Sequence, residues 1–287
     1  MKYYLIALFF VHSLVAQSQE MRRFMHPQGS KISSIPYGNN PKAGKYATAG
    51  DARIYYEVYG KGKPFVILHG GIFGSTIEMA QFIDSLSEKY QVIAVSTRGH
   101  GKSEIGSGPA TFEKLAGDVL AVINAETKDS VNLLGFSYGG YAGYKLASMY
   151  PDKVKKLIAI GAGERHPGDM DNTVTPEIGF KLDSLYWKQQ LALMPEPGRL
   201  PEMFDTIKDF FNKRMVVDSV LLSTIKCPVL VMAGDHDQFL PVSRLGHTVT
   251  LLSKGSLAII PNSSHGAFLE HFPIAWANVS AFLNEQF

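Results

Sequence analysis

The sequence predicts an α/β fold: a mostly parallel, doubly wound sheet opened by an N-terminal β-hairpin, with a helical cap inserted after the sixth strand. Three observations carry this. Short apolar runs without polar alternation recur: Phe65–Leu68, Val92–Val95, Val131–Leu134, Leu157–Ile160, Val229–Met232 and Leu257–Ile260. Strands covered by helices on both faces have this texture, because neither face meets water. Helix-length segments separate the runs, as a doubly wound sheet requires. One connection, from Ile160 to Val229, is more than sixty residues long, where about two to six is usual.

The elements follow in order. Tyr46-Ala47-Thr48 and Ile54 to Tyr59 flank Ala49-Gly50-Asp51 and read as the hairpin. Thr76 to Lys89 is the first helical segment. Thr111 can cap a second helix through Glu126, with Phe112, Leu115, Val119, Val122 and Ile123 on one stripe. Tyr138 to Tyr150, Ser243 to Leu252 and Pro273 to Glu285 complete the set. Within the long connection, Met203, Phe204, Ile207, Phe210 and Phe211 form one apolar stripe, and Leu182, Leu185, Tyr186, Gln189 and Met194 outline another. Residues 164–220 therefore read as the cap; their aromatic and methionine content argues against a disordered insertion.

The N-terminus has a different character. Met1-Lys2 is a positive start, Tyr3 to Val15 is apolar except for His12 and Ser13, and Ala16 precedes Gln17-Ser18-Gln19. This is the layout of a secretory signal peptide over residues 1–16, cleaved after Ala16. The run is short for a membrane span of about 20 residues, so no stable membrane anchor is expected. Export implies a periplasmic or extracellular location. Residues 17–45, rich in Ser, Gly, Pro and Asn, read as a loose lead-in to a domain covering 46–287. The sole cysteine, Cys227, cannot form an intramolecular disulfide, so the core carries stability alone. A net charge of +2 without a long basic run gives no reason to expect nucleic acid as a partner. Oligomeric state leaves no trace in the sequence.

The chemistry is carried by Gly135-Phe136-Ser137-Tyr138-Gly139, between an expected buried strand and an expected helix. A serine on such a sharp turn is strained, and its neighbours must be small where backbones pass closely. His69-Gly70-Gly71, Arg98 to Ser103, Gly234-Asp235-His236-Asp237 and the region around His265 accompany it. With these motifs the chain from Tyr46 to Phe287 resembles the α/β-hydrolase superfamily, in particular its cap-bearing esterases, haloperoxidase-like hydrolases and proline iminopeptidases. The resemblance implies the α/β-hydrolase fold and a Ser–acid–His order along the chain.

Ser137 is the expected nucleophile and His265, in the loop after the last strand, its base. Asp235 and Asp237 both follow the seventh strand. The family's G-D-x-D pattern favours Asp237 as the acid, with Asp235 shaping the turn. Glu164, after the sixth strand, is a weaker alternative acid. A metal site from Asp235, His236 and Asp237 is discounted because adjacent residues do not readily face one ion; neither metal nor organic cofactor is expected. His69 is expected to support the neighbouring loop and His100 to sit in a glycine-rich turn. By match to the family's H-G-x motif, the Gly71 amide, with Ile72 second, and the Tyr138 amide are the expected oxyanion donors. Ile72 stands where the proline iminopeptidase version has proline, and Ser96 stands where the Arg98 turn usually has aspartate, so Arg98 to Ser103 reads as structural. Ile72, Trp187, Met194, Phe204 and Phe211 are the candidate lining of a mostly apolar substrate pocket.

The expected activity is hydrolysis of a small ester, or of a lactone or amide, through an acyl-enzyme. An aminopeptidase would need a cap carboxylate such as Glu164, Glu196 or Glu202 for the substrate ammonium. A binding or sensor protein on the same scaffold is the alternative from another class.

Overall fold

The computed structural model describes residues 20–27, 32–169 and 171–285; the leader expected over residues 1–16 lies outside them. One eight-stranded sheet organises the chain. Its strands are β1 (Gly44–Ala49), β2 (Ala52–Tyr59), β3 (Lys63–Leu68), β4 (Tyr90–Val95), β5 (Val131–Phe136), β6 (Val154–Ile160), β7 (Val229–Gly234) and β8 (Gly255–Ile260). Their spatial order is β1-β2-β4-β3-β5-β6-β7-β8. The β1–β2 hairpin is antiparallel and β2 joins β4 antiparallel; every pairing from β4 to β8 is parallel.

The helices are α1 (Ala80–Ser87), α2 (Phe112–Glu126), α3 (Tyr138–Met149), α4 (Pro176–Leu182), α5 (Ser184–Leu193), α6 (Leu200–Asp209), α7 (Ser219–Ser223), α8 (Val242–Leu251), α9 (Ala267–Glu270) and α10 (Phe272–Asn284). The period-two geometry of a strand sends alternate side chains to opposite layers. On β3, Val66 and Leu68 pack with α2 and α3, while Phe65 and Ile67 pack with α1 and α10. Both faces are dry, which is why the strand sequences show no polar alternation. The Thr111 hydroxyl accepts the Lys114 N–H at 3.1 Å and starts α2, whose five-residue apolar stripe is buried throughout.

Pairing register aligns the strand ends. Leu68 pairs with Val95 on one side and Gly135 on the other, Phe136 pairs with Ile160, and Gly234 with Ile260. The carboxyl ends of β3, β5, β6, β7 and β8 therefore open on one rim of the sheet, the place where an open α/β sheet receives its ligand. Helices α4, α5 and α6 lie over that rim. The Tyr186 hydroxyl donates to Phe73 O at 2.9 Å and to Gly74 O at 3.1 Å, and Arg199 Nη2 donates to Gly106 O at 2.7 Å.

Two expectations need correction. The stripe through Leu182 and Leu185 is not a buried face: both are exposed, and the chain breaks at Asp183 between α4 and α5. The buried side of α5 is Tyr186, Trp187, Gln189 and Gln190. The lead-in is not loose where it is described. Met21 and Tyr37 are buried, and the Phe24 ring stacks on Phe73 at 4.2 Å. Gln189 Nε2 donates to Glu20 O at 2.7 Å and its Oε1 accepts the Arg22 N–H at 3.0 Å. Polar residues at 183 and 189 are thus buried because they bind a distant segment, which helical periodicity cannot reveal.

Asp183 concentrates three of these contacts: it caps α5 through Tyr186 N (3.0 Å), accepts Met25 N (2.8 Å) and pairs with Arg22 (3.0 Å). Asp183→Ala should therefore lower stability by about 1–2 kcal/mol and make the segment around Arg22 more susceptible to limited proteolysis. Denaturant melts and a trypsin time course check both.

Candidate active site

The turn between β5 and α3 is built by close backbone approach. A Cβ on Gly139 would sit 2.6 Å from Leu68 Cβ and 2.7 Å from Leu68 O, and one on Gly135 would sit 2.3 Å from Gly139 O. Only with glycine at both positions can α3 start this close to β3 and β5. Between them Ser137 is held at φ 49°, ψ −112°, a conformation that non-glycine residues avoid. Its N–H donates to Ile160 O at 2.7 Å and its carbonyl accepts Tyr141 N–H at 3.0 Å, which pins the strained residue from both sides.

After β7, two aspartates take different partners. Asp235 Oδ1 accepts the Ser263 N–H at 3.1 Å, and backbone donors of this kind lower its pKa. Asp237 Oδ1 accepts Phe239 N–H (2.8 Å) and Leu240 N–H (3.1 Å), which leaves Oδ2 facing His265 Nδ1 at 2.8 Å. The Asp237 side chain is fully buried. This pairing assigns the proton to Nδ1 of His265 and leaves Nε2 as the basic nitrogen. The imidazole lies between Phe136 and Phe239, with ring centroids 5.0 and 4.9 Å away. Gly161, at φ 61°, gives it room: a Cβ there would come within 2.8 Å of His265 Cε1.

Glu164 goes elsewhere. Its carboxylate meets His247 Nδ1 at 2.6 Å and His166 Nε2 at 3.2 Å, and these contacts hold its pKa down. Glu196 and Glu202 both pair with Arg199 at the outer edge of the cap. None of these three carboxylates lines the cavity that holds Ser137 and His265, so they do not supply the ammonium site an aminopeptidase would need.

The loop after β3 is stiffened by His69. Its Nδ1–H donates to Gly70 O at 2.6 Å and its Nε2 accepts Thr97 N–H at 3.0 Å. Gly70 N–H donates to Glu78 at 2.5 Å, and burial raises that carboxyl's pKa to about 8. Gly71 and Tyr138 are brought edge to edge, since a Gly71 Cβ would lie 2.9 Å from Tyr138 Cβ. Among the described residues, neither backbone N–H is taken by a protein acceptor. Ile72 adopts φ 51° and turns the loop beside them. Arg98 binds Asp118 through two nitrogens (2.8 and 2.7 Å) and Asp51 through a third (2.7 Å), a purely structural arrangement.

Ser137 and His265 line one cavity of about 390 Å³, within the range of small-ligand sites. Gly71, Ile72 and Phe211 also line it. Trp187, Met194 and Phe204 do not, contrary to expectation. Phe204 and Trp187 pack on each other at 5.1 Å and against Phe73, and all three expected residues are buried where the cap meets the loops. A helical stripe shows that a face is covered, not what covers it. Phe211 escapes this fate because the helix continues past α6 into a π-helical turn, Phe210–Arg214, which re-aims it toward Tyr138 at 5.5 Å. The cavity also uses Arg23, Phe24, Arg165 and Phe239, which sequence reasoning missed. Phe239 alone had a signal, two residues beyond Asp237; Arg23 and Phe24 lie in the segment expected to be a loose lead-in.

Comparison with known proteins agrees with this architecture. Residues 63–202 match the α/β-hydrolase fold family model. The chain is 32% identical over 237 residues to a protein named as a carbamate hydrolase, RutD, of Azorhizobium caulinodans, covering 73% of this chain and 85% of that one. The chain belongs to the α/β-hydrolase family. A non-heme haloperoxidase of Rhodococcus erythropolis is 27% identical, with 77% of this chain and 92% of that one covered. A Rhodococcus esterase structure superposes with a TM-score of 0.66 at 25% identity, covering 85% and 99% of the two chains.

Two buried histidines of this α/β-hydrolase make its stability depend on pH. Burial, together with their mutual repulsion at His69, lowers the pKa of His69 to about 3, and burial lowers that of His100 to about 4, from 6.5. In the unfolded chain both protonate below 6.5, whereas in the fold they stay neutral. They therefore stabilise the fold above pH 6.5, and this contribution is lost as pH falls toward 4. Unfolding free energy measured from about pH 7 to about pH 4.5 should decline, and His100→Asn should show a shallower decline than wild type.

Proposed function

We propose that this α/β-hydrolase cleaves small esters, and lactones or amides of similar size, through an acyl-enzyme on Ser137. One observation carries the reading: strained Ser137 shares its cavity with His265, whose far nitrogen is held by buried Asp237 at 2.8 Å. A serine hydroxyl is a weak nucleophile and needs a base to take its proton. In this reading His265 Nε2 removes the Ser137 proton as Oγ attacks the carbonyl carbon. Asp237 keeps the imidazole in the required tautomer and stabilises the imidazolium.

The attacked oxygen becomes negative, and uncommitted amides are worth most where charge develops in a site shielded from water. Gly71 and Tyr138 N–H are the donors assigned to it. His265 then gives its proton to the leaving group, and the C–O or C–N bond breaks to leave the acyl group on Ser137. Water, activated by the same nitrogen, attacks the acyl carbon and restores the serine. The names of the similar proteins, a carbamate hydrolase and an esterase, support an acyl-transfer substrate.

A fluorophosphonate probe should label the wild-type protein, and Ser137→Ala should abolish labelling; a folded wild type that resists the probe overturns the proposal in favour of a binding or sensor role. On an activated short-chain ester, Asp237→Ala should lower kcat by about a thousandfold or more. Glu164→Gln should stay within about twofold, because its carboxylate serves His166 and His247 instead.

A further inference from the structure

Arg165 is a buried cation in the wall of the cavity that holds Ser137 and His265. It follows β6 at the entry to the cap, and its backbone pairs in both directions with Val217 near the cap's exit, at 2.9 and 2.8 Å. Its side chain is not on the surface: the residue is 3% exposed and lines the cavity shared by Ser137 and His265. The guanidinium carbon lies 5.8 Å from the centre of the Tyr141 ring and 5.6 Å from that of Phe211. The guanidinium also makes electrostatic contact with the Tyr141 hydroxyl.

Among the described residues no carboxylate forms an ion pair with this cation, and its Nε and Nη2 are buried without a hydrogen-bond partner. The acids nearby in sequence or space are committed. Asp237 serves His265, Glu164 serves two histidines, and Asp169 pairs with Arg244 and accepts His166 N–H. Of the acids in the cavity wall, Glu78 accepts Gly70 N–H and faces Arg23, and Asp171 does not reach ion-pairing distance of Arg165.

A guanidinium cannot escape burial by losing its proton, so a buried one is expected to meet an anion. The two unused nitrogens are informative. Nε–H and one Nη2–H point the same way along one edge of the planar group, the edge that receives both oxygens of a carboxylate. Tyr141 and Phe211 flank the guanidinium, with ring centres 5.8 and 5.6 Å from its carbon, and Nε and Nη2 keep that edge without a partner.

We propose that Arg165 binds a carboxylate on the substrate, so that the acyl group accepted at Ser137 carries a second, ionised carboxyl group. The favoured substrates are half-esters of dicarboxylic acids, or lactones bearing a carboxylate, rather than simple alkyl esters. The substrate class rests on the Ser137 reading; the anion site does not.

The test compares the p-nitrophenyl half-ester of glutaric acid with p-nitrophenyl hexanoate, an uncharged ester of similar length. Wild type should prefer the half-ester in kcat/KM by about tenfold or more. The ratio should collapse toward one in Arg165→Met and recover in part in Arg165→Lys, which restores charge but not the paired donors. Monomethyl glutarate, titrated calorimetrically into Ser137→Ala and into the Arg165→Met, Ser137→Ala double variant, reads the anion site without catalysis. Binding to the first and about tenfold or more weaker binding to the second is expected. Should wild type hydrolyse neither ester while monomethyl glutarate still binds in this Arg165-dependent way, the serine reading fails and the anion site stands. Equal kcat/KM for the two esters in wild type overturns the proposal even if Arg165→Met does not fold. Equal binding by the two Ser137→Ala proteins also overturns it, and leaves Arg165 as a structural cation.

Discussion

Where β5 runs into α3, the backbone of Gly139 lies against Leu68 and His69 of the neighbouring strand end, and Gly135 lies against Gly139 itself. Contact this close leaves no room for side chains at the two glycines and forces Ser137, midway between them, to a positive φ. The strain is held by the Ile160 and Tyr141 hydrogen bonds. Its cost is offset by the packing of strands and a helix that are buried on every side. The rest of the site is arranged around this contact. Because α3 sits so close to β3, the amide of Tyr138 comes beside Gly71, and the loop carrying Gly71 must be braced by His69 and Glu78 rather than left free.

Sheet topology does the remaining assembly. Residues 69, 137, 237 and 265 are far apart in the chain, yet each follows a parallel strand whose carboxyl end reaches the same rim. Parallel pairing makes this automatic, since every crossover helix returns the chain to the opposite edge before the next strand begins. Asp237 and His265 follow neighbouring strands, β7 and β8, so their short link is geometrically natural. Gly161, at the end of β6, contributes by having no side chain where the imidazole must lie.

The cap closes this rim with two kinds of material. Trp187, Met194 and Phe204 form its own adhesive, packed on loop residues such as Phe73. Phe211 and Arg165 face inward instead, near the two ends of the insertion. The segment around Arg22 adds a third component, because Asp183 and Gln189 of the cap hold it in place and bring Arg23 and Phe24 to the cavity wall. The placement of Ser137, Asp237 and His265 thus belongs to the sheet, while the shape and charge of the cavity belong largely to segments outside it.

The sequence by itself pointed to the parallel sheet, because strands buried on both faces are written as short apolar runs without polar alternation, as in Phe65–Leu68 and Val229–Met232, separated by helix-length segments. It also marked the glycine-flanked turn at Ser137, and its resemblance to the family implied a serine–acid–histidine order along the chain. Tertiary structure brought Asp237 rather than Asp235 to His265, and it alone decided which cap aromatics line the cavity and which only pack. It also decided that Asp183 and Gln189 are buried by a segment more than 150 residues away. The physical reason is one of range. Backbone conformation and burial are imposed by a residue's near neighbours and recur with a short period. The partner that buries Trp187, leaves Arg165 unpaired or docks Phe24 is chosen by contacts between distant segments, and no local pattern records them.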